Sequence, residues 1–324
     1  MAEWLVEEGI GEHRAILPKG TEILAARLHW PGALTTGEIA DARLVSRAQG
    51  SPRGTARFPS GEEALVDNLP SQVSEGATLR LRVTRAKIAE KGRTKLARAR
   101  PTEEAPHPAP SLAQALLAEG HQARIVRRFP VEGWDELVSE AFSREIAFPG
   151  GALLIEPTPA MTLIDIDGAL PPRQLSLAAI PAVAAALRRF DVGGSIGIDF
   201  PTLAAKADRR AVDEALAGAL SGWAHERTAM NGFGFVQLVA RLERPSILQR
   251  FARNRTGAAA RLLLRRAEDI GSPGAILLTC HPAVEACLQE AWLSDLAQRT
   301  GREIRTATDP ALALEAGFAQ SVPL

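Results

Sequence analysis

The sequence is poor in the residues that build zinc sites, disulfide frameworks and membrane spans. Its two cysteines, Cys280 and Cys287, are seven positions apart and form no C-x-x-C pair. This argues against zinc or disulfides, and we interpret both as small core residues in a reducing compartment. The longest apolar stretch, residues 175–187, contains Pro181 and falls short of the ~20 residues that span a bilayer. The first residues, MAEW, lack a signal-peptide pattern. We therefore expect a cytoplasmic protein without a membrane partner.

The chain also lacks an excess of charge of either sign, with 38 Lys and Arg against 38 Asp and Glu. Zero net charge neither demands nor excludes a nucleic-acid partner, so local clusters of basic residues must decide. The 46% hydrophobic content supports a sizeable core, and 324 residues suffice for two or three domains.

Short, partly alternating apolar runs, broken by Gly, Pro and Ser, fill the first hundred residues. They predict N-terminal strands over residues 1–34, packing on the core, and a small β-barrel of OB-fold size over residues 35–100. Four prolines within residues 101–113 predict a Pro-rich linker, which we extend to residue 120. Beyond it, buried strands alternate with amphipathic helices. The predicted fold class is therefore multidomain α+β.

Two predicted strands, residues 162–168 and 193–200, carry aspartates at or near their ends. Burying Asp165 or Asp199 there is costly unless something compensates the charge. Mg²⁺ is a suitable compensation because it favours one or two carboxylates together with waters and phosphate oxygens. Asp167 shares a strand face with Asp165 because it lies two residues further on. The alternative is that each aspartate caps the turn or helix after its strand, and composition leaves this choice open.

Three stretches resemble the catalytic core of the bacterial ribonuclease E/G family, and their order and spacing agree with it over residues 130–250. The first is FSREIAFPGG at residues 142–151, leading to IDID at 164–167, against "F-x-R-E-V-x-L-P-S-G-G" and "I-D-V-N-S-G". The second is FDVGGSIGIDF at residues 190–200, against "R-D-L-G-G-x-I-x-I-D-F-I-D-M". The third is FGFVQLVARLERPSI at residues 233–247, against "F-G-L-L-E-M-T-R-x-R-x-R-P-S-L".

The resemblance implies an N-terminal OB-fold β-barrel, a DNase I-like α/β catalytic domain over residues 121–256 and a small C-terminal α/β domain over residues 257–324. It implies that Asp165 and Asp199 bind Mg²⁺, for which Mn²⁺ can substitute. The ion activates water to cleave RNA, leaving 5′-phosphate and 3′-hydroxyl ends. Asp167 replaces the family's asparagine, and we include it in the catalytic set as a third carboxylate.

The departures from the family define further expectations. The RNase H-like insertion that contributes the family's 5′-monophosphate pocket is missing, so we expect RNA processing without 5′-end sensing, on single-stranded or structured precursor RNA. The "C-P-x-C" zinc-link is also missing, so we expect no zinc, and a monomer or a homodimer not linked by zinc. The arginine run after the third stretch is thinned to Arg244, with Arg241 on a variable position. The alternative function is therefore an RNA-binding protein of the same fold with weak or no cleavage.

A local basic excess stands out between Arg80 and Arg100, where nine Lys and Arg accompany one acid, Glu90. A basic OB-fold face would bind phosphates, although a merely solvated strand face is the alternative. Phe58 could stack on bases or belong to the core. A second basic run, residues 250–266, could be the solvated side of a helix. The predicted RNA-binding residues are Phe58, Arg80, Arg82, Lys91, Arg93, Lys95, Arg241 and Arg244.

Overall fold

The computed structural model describes residues 3–324, so Met1 and Ala2 of the N-terminal segment lie outside the described residues. The chain opens with three antiparallel strands joined by tight turns: β1 (Glu3–Gly9), β2 (Glu12–Lys19) and β3 (Glu22–His29). These strands agree with the N-terminal strands predicted over residues 1–34.

The next seven strands contain a closed five-stranded barrel, as the short alternating runs predict. The strands are β4 (Ile39–Arg47), β5 (Gly54–Arg57), β6 (Glu63–Val66), β7 (Thr78–Arg85), β8 (Ile88–Glu90), β9 (Arg93–Lys95) and β10 (Ala97–Pro101). The barrel order is β10-β6-β5-β4-β7, and it closes because β7 also pairs with β10. Strands β8 and β9 form a separate hairpin. Alternation places Leu81 and Val83 inside the barrel.

The segment after the barrel is more ordered than a linker. Residues 112–118 form helix α1 (Leu112–Ala118), whose N-cap Ser111 accepts from the backbone N–H of Gln114 in a capping box. Strand β11 (Gln122–Ile125) then pairs in parallel with β1. The N-terminal sheet therefore has the order β11-β1-β2-β3, and the barrel is inserted into it. Pattern reading missed α1 because only Leu112, Ala113 and Leu116 mark its buried side.

A six-stranded sheet follows, with the order β12-β13-β14-β15-β17-β16. Its elements are α2 (Trp134–Ser143), β12 (Glu145–Phe148), β13 (Gly151–Pro157), β14 (Thr162–Gly168), α3 (Pro172–Arg189), β15 (Gly194–Asp199), α4 (Lys206–Ala219), β16 (His225–Arg227) and β17 (Phe235–Ala240). Helix α3 connects the parallel strands β14 and β15 and contacts β13, β14 and β3, so it joins this sheet to the N-terminal sheet.

Helix α3 begins at Pro172, and the Ser176 hydroxyl donates to the Pro172 carbonyl over 2.8 Å. Proline at the first helical position is favourable because its fixed φ suits the helix and its missing N–H would be unpaired there. The helix continues through Pro181.

The C-terminal part is a small α/β unit whose sheet has the order β19-β18-β20. The elements are α5 (Ile247–Arg253), α6 (Arg255–Glu268), β18 (Ala275–Cys280), α7 (Pro282–Glu285), α8 (Glu290–Thr300), β19 (Ile304–Thr308), a 3₁₀ turn (Leu314–Ala316) and β20 (Phe318–Val322). Helices α7 and α8 are separated by a short break at residues 286–289. No helix within residues 3–324 is long and apolar enough to cross a membrane.

Candidate active site and nucleic-acid interface

Asp165 and Asp199 lie side by side on parallel strands β14 and β15. They are register partners, so about 4.8 Å separates the two strands at this point. The preceding residues, Ile164 and Ile198, are buried in the core. Because side chains alternate along a strand, both carboxylates lie on the opposite, exposed face of the sheet, which we call the open face.

Neither carboxylate has a protein partner, since the hydrogen bonds and ion pairs of residues 3–324 involve neither Asp165 nor Asp199. Asp167 differs, because its carboxylate accepts from the Gly168 backbone N–H over 2.9 Å. The capping alternative therefore describes Asp167 and not the pair. Two ionised carboxylates about 5 Å apart in water repel by about 0.8 kcal/mol. A cation would relieve this repulsion.

The donor set fits a hard cation that takes few protein ligands. Within residues 3–324 no group of three or more His, Cys, Asp or Glu side chains could hold a metal ion. Two carboxylates nevertheless suffice for Mg²⁺, which keeps several waters and completes its shell with phosphate oxygens. Asp165 and Asp199 are thus the residues that would hold the ion.

The open face around the pair is shaped by Phe235, the register partner of Asp199 on β17. Its ring lies over Gly197, where an added Cβ would approach the ring to 2.4 Å. Gly197 is two residues before Asp199 on the same face, so glycine is required there for the aromatic ring to cover the strand.

An exposed aromatic residue, Phe233, lies at the end of the same strands and is 82% exposed. The Asn231 side-chain oxygen holds its turn by accepting from the backbone N–H groups of Phe233 (2.9 Å) and Phe235 (3.1 Å). Gly234 accepts from the Phe200 N–H, one residue beyond Asp199. Sequence analysis missed this feature, although Phe233 opens the third family-like stretch.

A groove of about 670 Å³ runs between the barrel and the open face. We call it the arginine groove. Its five arginines are Arg82, Arg85, Arg98, Arg100 and Arg241. Ser195 and Val239 line its floor. Ser195 precedes Asp199 by four residues on the same strand, so the groove reaches the sheet about 13 Å from the carboxylates.

The acids in the arginine groove are Glu104 and Glu243. Glu104 pairs with Arg82, and Glu243 pairs with Arg241 over 2.6 Å. Arg100 has no such partner among residues 3–324, and the nearest acid to Arg98 is 3.9 Å away. The groove therefore keeps an excess of positive charge.

Two of the predicted RNA-binding residues lie outside the arginine groove. Phe58 is only 3% exposed and belongs to the barrel core, the alternative that the sequence left open. Arg244 is held by Asp191 over 2.7 Å. Burial alone would lower the pKa of Arg244, but attraction to Asp191 and the hydrogen bond that Arg244 donates to this carboxylate outweigh burial and raise the pKa. Arg244 thus connects structural elements and does not lie in the arginine groove.

The remaining predicted residues divide between surface ion pairs and the arginine groove. Arg80 pairs with Asp41 over 3.1 Å, so part of its charge is already neutralised before RNA binds. Arg93 and Lys95 hold Glu90 at 2.7 and 2.6 Å. Burial alone would raise the pKa of Glu90, but these two hydrogen bonds outweigh it and lower the pKa. Lys91 is exposed at the hairpin turn, whereas Arg82 and Arg241 lie in the groove.

The second basic run is not a solvated helix face. Arg255 donates to the Phe142 carbonyl (2.8 Å), and Arg261 donates to the Gly11 carbonyl (2.7 Å). Arg265 pairs with the buried Glu7 over 2.9 Å. These arginines connect α6 to the N-terminal sheet and to α2.

An unpartnered carboxylate pair beside a cationic groove defines a protein that can hold a divalent cation and a phosphate polymer together. Residues 97–241 match the family model described as Ribonuclease E/G family. The match spans the chain from β10 to the residue after β17, and it contains both Asp165 and Asp199.

Proposed function

We propose that this protein is a Mg²⁺-dependent endoribonuclease whose reaction centre is the Asp165–Asp199 pair. The observation that carries the proposal is that two carboxylates, adjacent in register and exposed, have no protein partner. Two ionised carboxylates on neighbouring strands repel each other, so a cation bound between them would stabilise the pair. The family match that contains both residues supports the same function.

The proposed RNA path runs from the positively charged arginine groove across the open face to the carboxylate pair. Phosphates bind first in the arginine groove, whose excess positive charge attracts a polyanion. The strand then crosses the open face from Ser195 towards Asp199. Phe233 stands at the far side, where its exposed ring can stack on any base. We therefore assign Phe233 to positioning of the nucleotides at the carboxylates.

Asp165 and Asp199 would hold Mg²⁺, or Mn²⁺ in its place. When bound, the ion would lower the pKa of its water ligand and neutralise charge on the phosphate. Asp167 lies on the same face two residues from Asp165, and one of its oxygens accepts from the Gly168 N–H, which fixes the carboxylate next to the pair. The expected products carry 5′-phosphate and 3′-hydroxyl ends.

The barrel is proposed to be an OB-fold RNA-binding domain, and the six-stranded sheet a DNase I-like catalytic domain. The substrate proposed is single-stranded or structured precursor RNA, cleaved without sensing of the 5′ end. A monomer or a homodimer not linked by zinc is the proposed state. If the 5′ end is not sensed, 5′-monophosphate and 5′-hydroxyl versions of one substrate will be cut at equal rates. A strong preference for the monophosphate would refute this part.

A specific observation favours the second candidate, an RNA-binding protein with weak or no cleavage. Of the arginines near the third family-like stretch, Arg241 is paired with Glu243 and Arg244 with Asp191. Their charge is therefore partly neutralised before RNA arrives, which reduces what they can give to a phosphate at the carboxylates.

The two candidates are separated by Asp199→Asn, with Asp135→Asn as a matched control at an 80% exposed side chain. Labelled RNA is incubated with each protein in Mg²⁺, and binding is measured separately in EDTA. We expect cleavage to fall at least 100-fold in the Asp199 variant, because even changes behind a metal ligand cost 10–100-fold. RNA binding and the control should be unchanged. Wild-type protein that binds RNA but never cuts it would favour the second candidate.

A further inference from the structure

A second site candidate lies away from the carboxylates, in a cavity of about 330 Å³ between the end of β3, the barrel and helix α5. Its size is at the lower end of small-molecule pockets. No acidic residue is among the described residues that line it, although five basic ones are. We call it the basic cavity. The five are Lys87, Arg244, Arg250, Arg253 and Arg261.

Four of these five cations already have partners. Lys87 pairs with Glu62 over 2.9 Å, and Arg244 is held by Asp191 as described above. Arg253 donates to the Pro157 carbonyl over 2.6 Å. Arg261 donates to the Gly11 and Gly257 carbonyls over 2.7 and 2.9 Å. Each of them has a structural role that explains its presence.

Arg250 is the exception. It takes part in no side-chain hydrogen bond or ion pair with any residue from 3 to 324, and its Nε atom is buried without a partner. Its Cζ lies 5.4 Å from the centroid of the Trp30 ring, and the Cζ of Arg261 lies 4.2 Å from the same centroid. A partly buried guanidinium without an ion-paired anion is costly.

The acids nearby are already engaged. Glu12 accepts from the Trp30 indole N–H over 2.9 Å, and Asp191 accepts from Arg244. Burial lowers the pKa of Arg250 to about 10, so it remains charged at neutral pH. Asp191 and Glu12 attract Arg250 through their charge, but neither forms an ion pair with it. The fold therefore keeps a cation without a directly paired anion at the wall of the cavity.

We propose that the basic cavity binds a phosphate monoester on a small ring, such as a nucleoside monophosphate, with Arg250 as its principal anchor. A guanidinium matches two phosphate oxygens at once. Gln249 and Asn254 add side-chain amides, while Pro31 and Pro245 supply apolar wall for the ring. This goes beyond the proposed endoribonuclease function and does not depend on it.

The phosphate monoester could be a free nucleotide or the 5′ end of an RNA. A seam separates the basic cavity from the arginine groove. In it, the Thr36 hydroxyl and the Ala86 N–H both donate to the Glu243 carbonyl, over 2.7 and 2.8 Å. Because this seam lies between the cavity and the RNA path, we expect the free nucleotide to be the ligand.

The test is calorimetric titration in EDTA, which prevents cleavage. The probes are AMP, UMP, adenosine, and one RNA oligomer with either a 5′-phosphate or a 5′-hydroxyl. Wild type is compared with Arg250→Met and with Arg210→Met, a control at an 80% exposed side chain. Arg250→Met should weaken nucleotide binding about 10- to 100-fold, the effect of losing hydrogen bonds to a charged group. It should leave the melting temperature equal or higher, because it removes an unpaired buried charge.

A second variant, Ala115→Leu, fills the cavity from helix α1 and should also abolish nucleotide binding. Tighter binding of the 5′-phosphate oligomer than of the 5′-hydroxyl one, lost in Arg250→Met, would support the site and make the RNA end its ligand. The proposal is overturned if neither nucleotide nor 5′-phosphate RNA binds at millimolar concentration. It is also overturned if adenosine binds as well as AMP, or if Arg250→Met binds like wild type.

Discussion

The arginine groove makes a quantitative prediction about salt. Of its five arginines, Arg82 and Arg241 already have carboxylate partners and should release few counterions when RNA binds. Arg85, Arg98 and Arg100 remain. For single strands, the slope of log K against log salt is about −0.7 per phosphate neutralised, so three contacts give about −2.1. Raising salt from 50 to 200 mM should then weaken binding about 20-fold.

Replacing Arg98 and Arg100 by glutamine should leave one contact, a slope of about −0.7 and only about a threefold loss over the same range. The assay is fluorescence anisotropy of a labelled RNA oligomer in EDTA at several salt concentrations. The control exchanges Arg128 and Arg210, whose side chains are 72% and 80% exposed outside the groove. A double variant with the wild-type slope, or a control that lowers the slope equally, would refute the assignment of the RNA path.

Two further predictions follow from single residues. Phe233→Ala should weaken RNA binding by ~1–3 kcal/mol, the contribution of one stacked base. The control is Phe318→Ala, at a residue of β20 that is 41% exposed, and it should leave RNA binding unchanged. Equal effects of the two changes would contradict the stacking role. Burial, with Arg250, His13 and Arg244 adding to it, lowers the pKa of His29 to about 4. Between pH 6.5 and 4 the unfolded chain therefore binds more protons than the folded one, so stability should fall by about 2 kcal/mol from pH 7.5 to 5. Urea unfolding at both pH values should show a smaller fall in His29→Gln, and an unchanged fall would contradict the burial argument.

Local patterns predicted the barrel well. Its strands are short alternating runs, and one face of each must be buried, so the inward positions of Leu81 and Val83 follow from sequence alone. The pairing of β11 with β1 could not be predicted in the same way. Those strands are far apart in sequence and are brought together by the insertion of a whole barrel, which leaves no local trace.

The candidate site, like the fold, was predicted from the sequence only in part. Two aspartates on apolar strands predicted a carboxylate pair, and the parallel connection through α3 brings them into register. Composition could not predict which ion-pair partner each charged side chain has. Arg82 and Arg100 look equivalent in the sequence, yet Glu104 neutralises one and leaves the other free. Partners come from tertiary contacts, so only the fold distinguishes structural cations from available ones.

That distinction connects the two proposed sites. Most charged side chains in this neutral protein are neutralised by partners, as Glu7 is by Arg14 over 2.6 Å and by Arg265. Charge without a partner is therefore informative, because leaving it unpaired costs stability that pairing would recover. Among the charges without a partner are the carboxylate pair on the open face and the Arg250 guanidinium in the basic cavity, besides Arg100 in the arginine groove. The first suits a cation and the second suits an anion. If both proposals hold, the metal at the carboxylate pair and the phosphate ligand in the basic cavity would bind without competing. Saturating AMP should accordingly leave the apparent Mn²⁺ affinity unchanged in calorimetry on the wild-type protein.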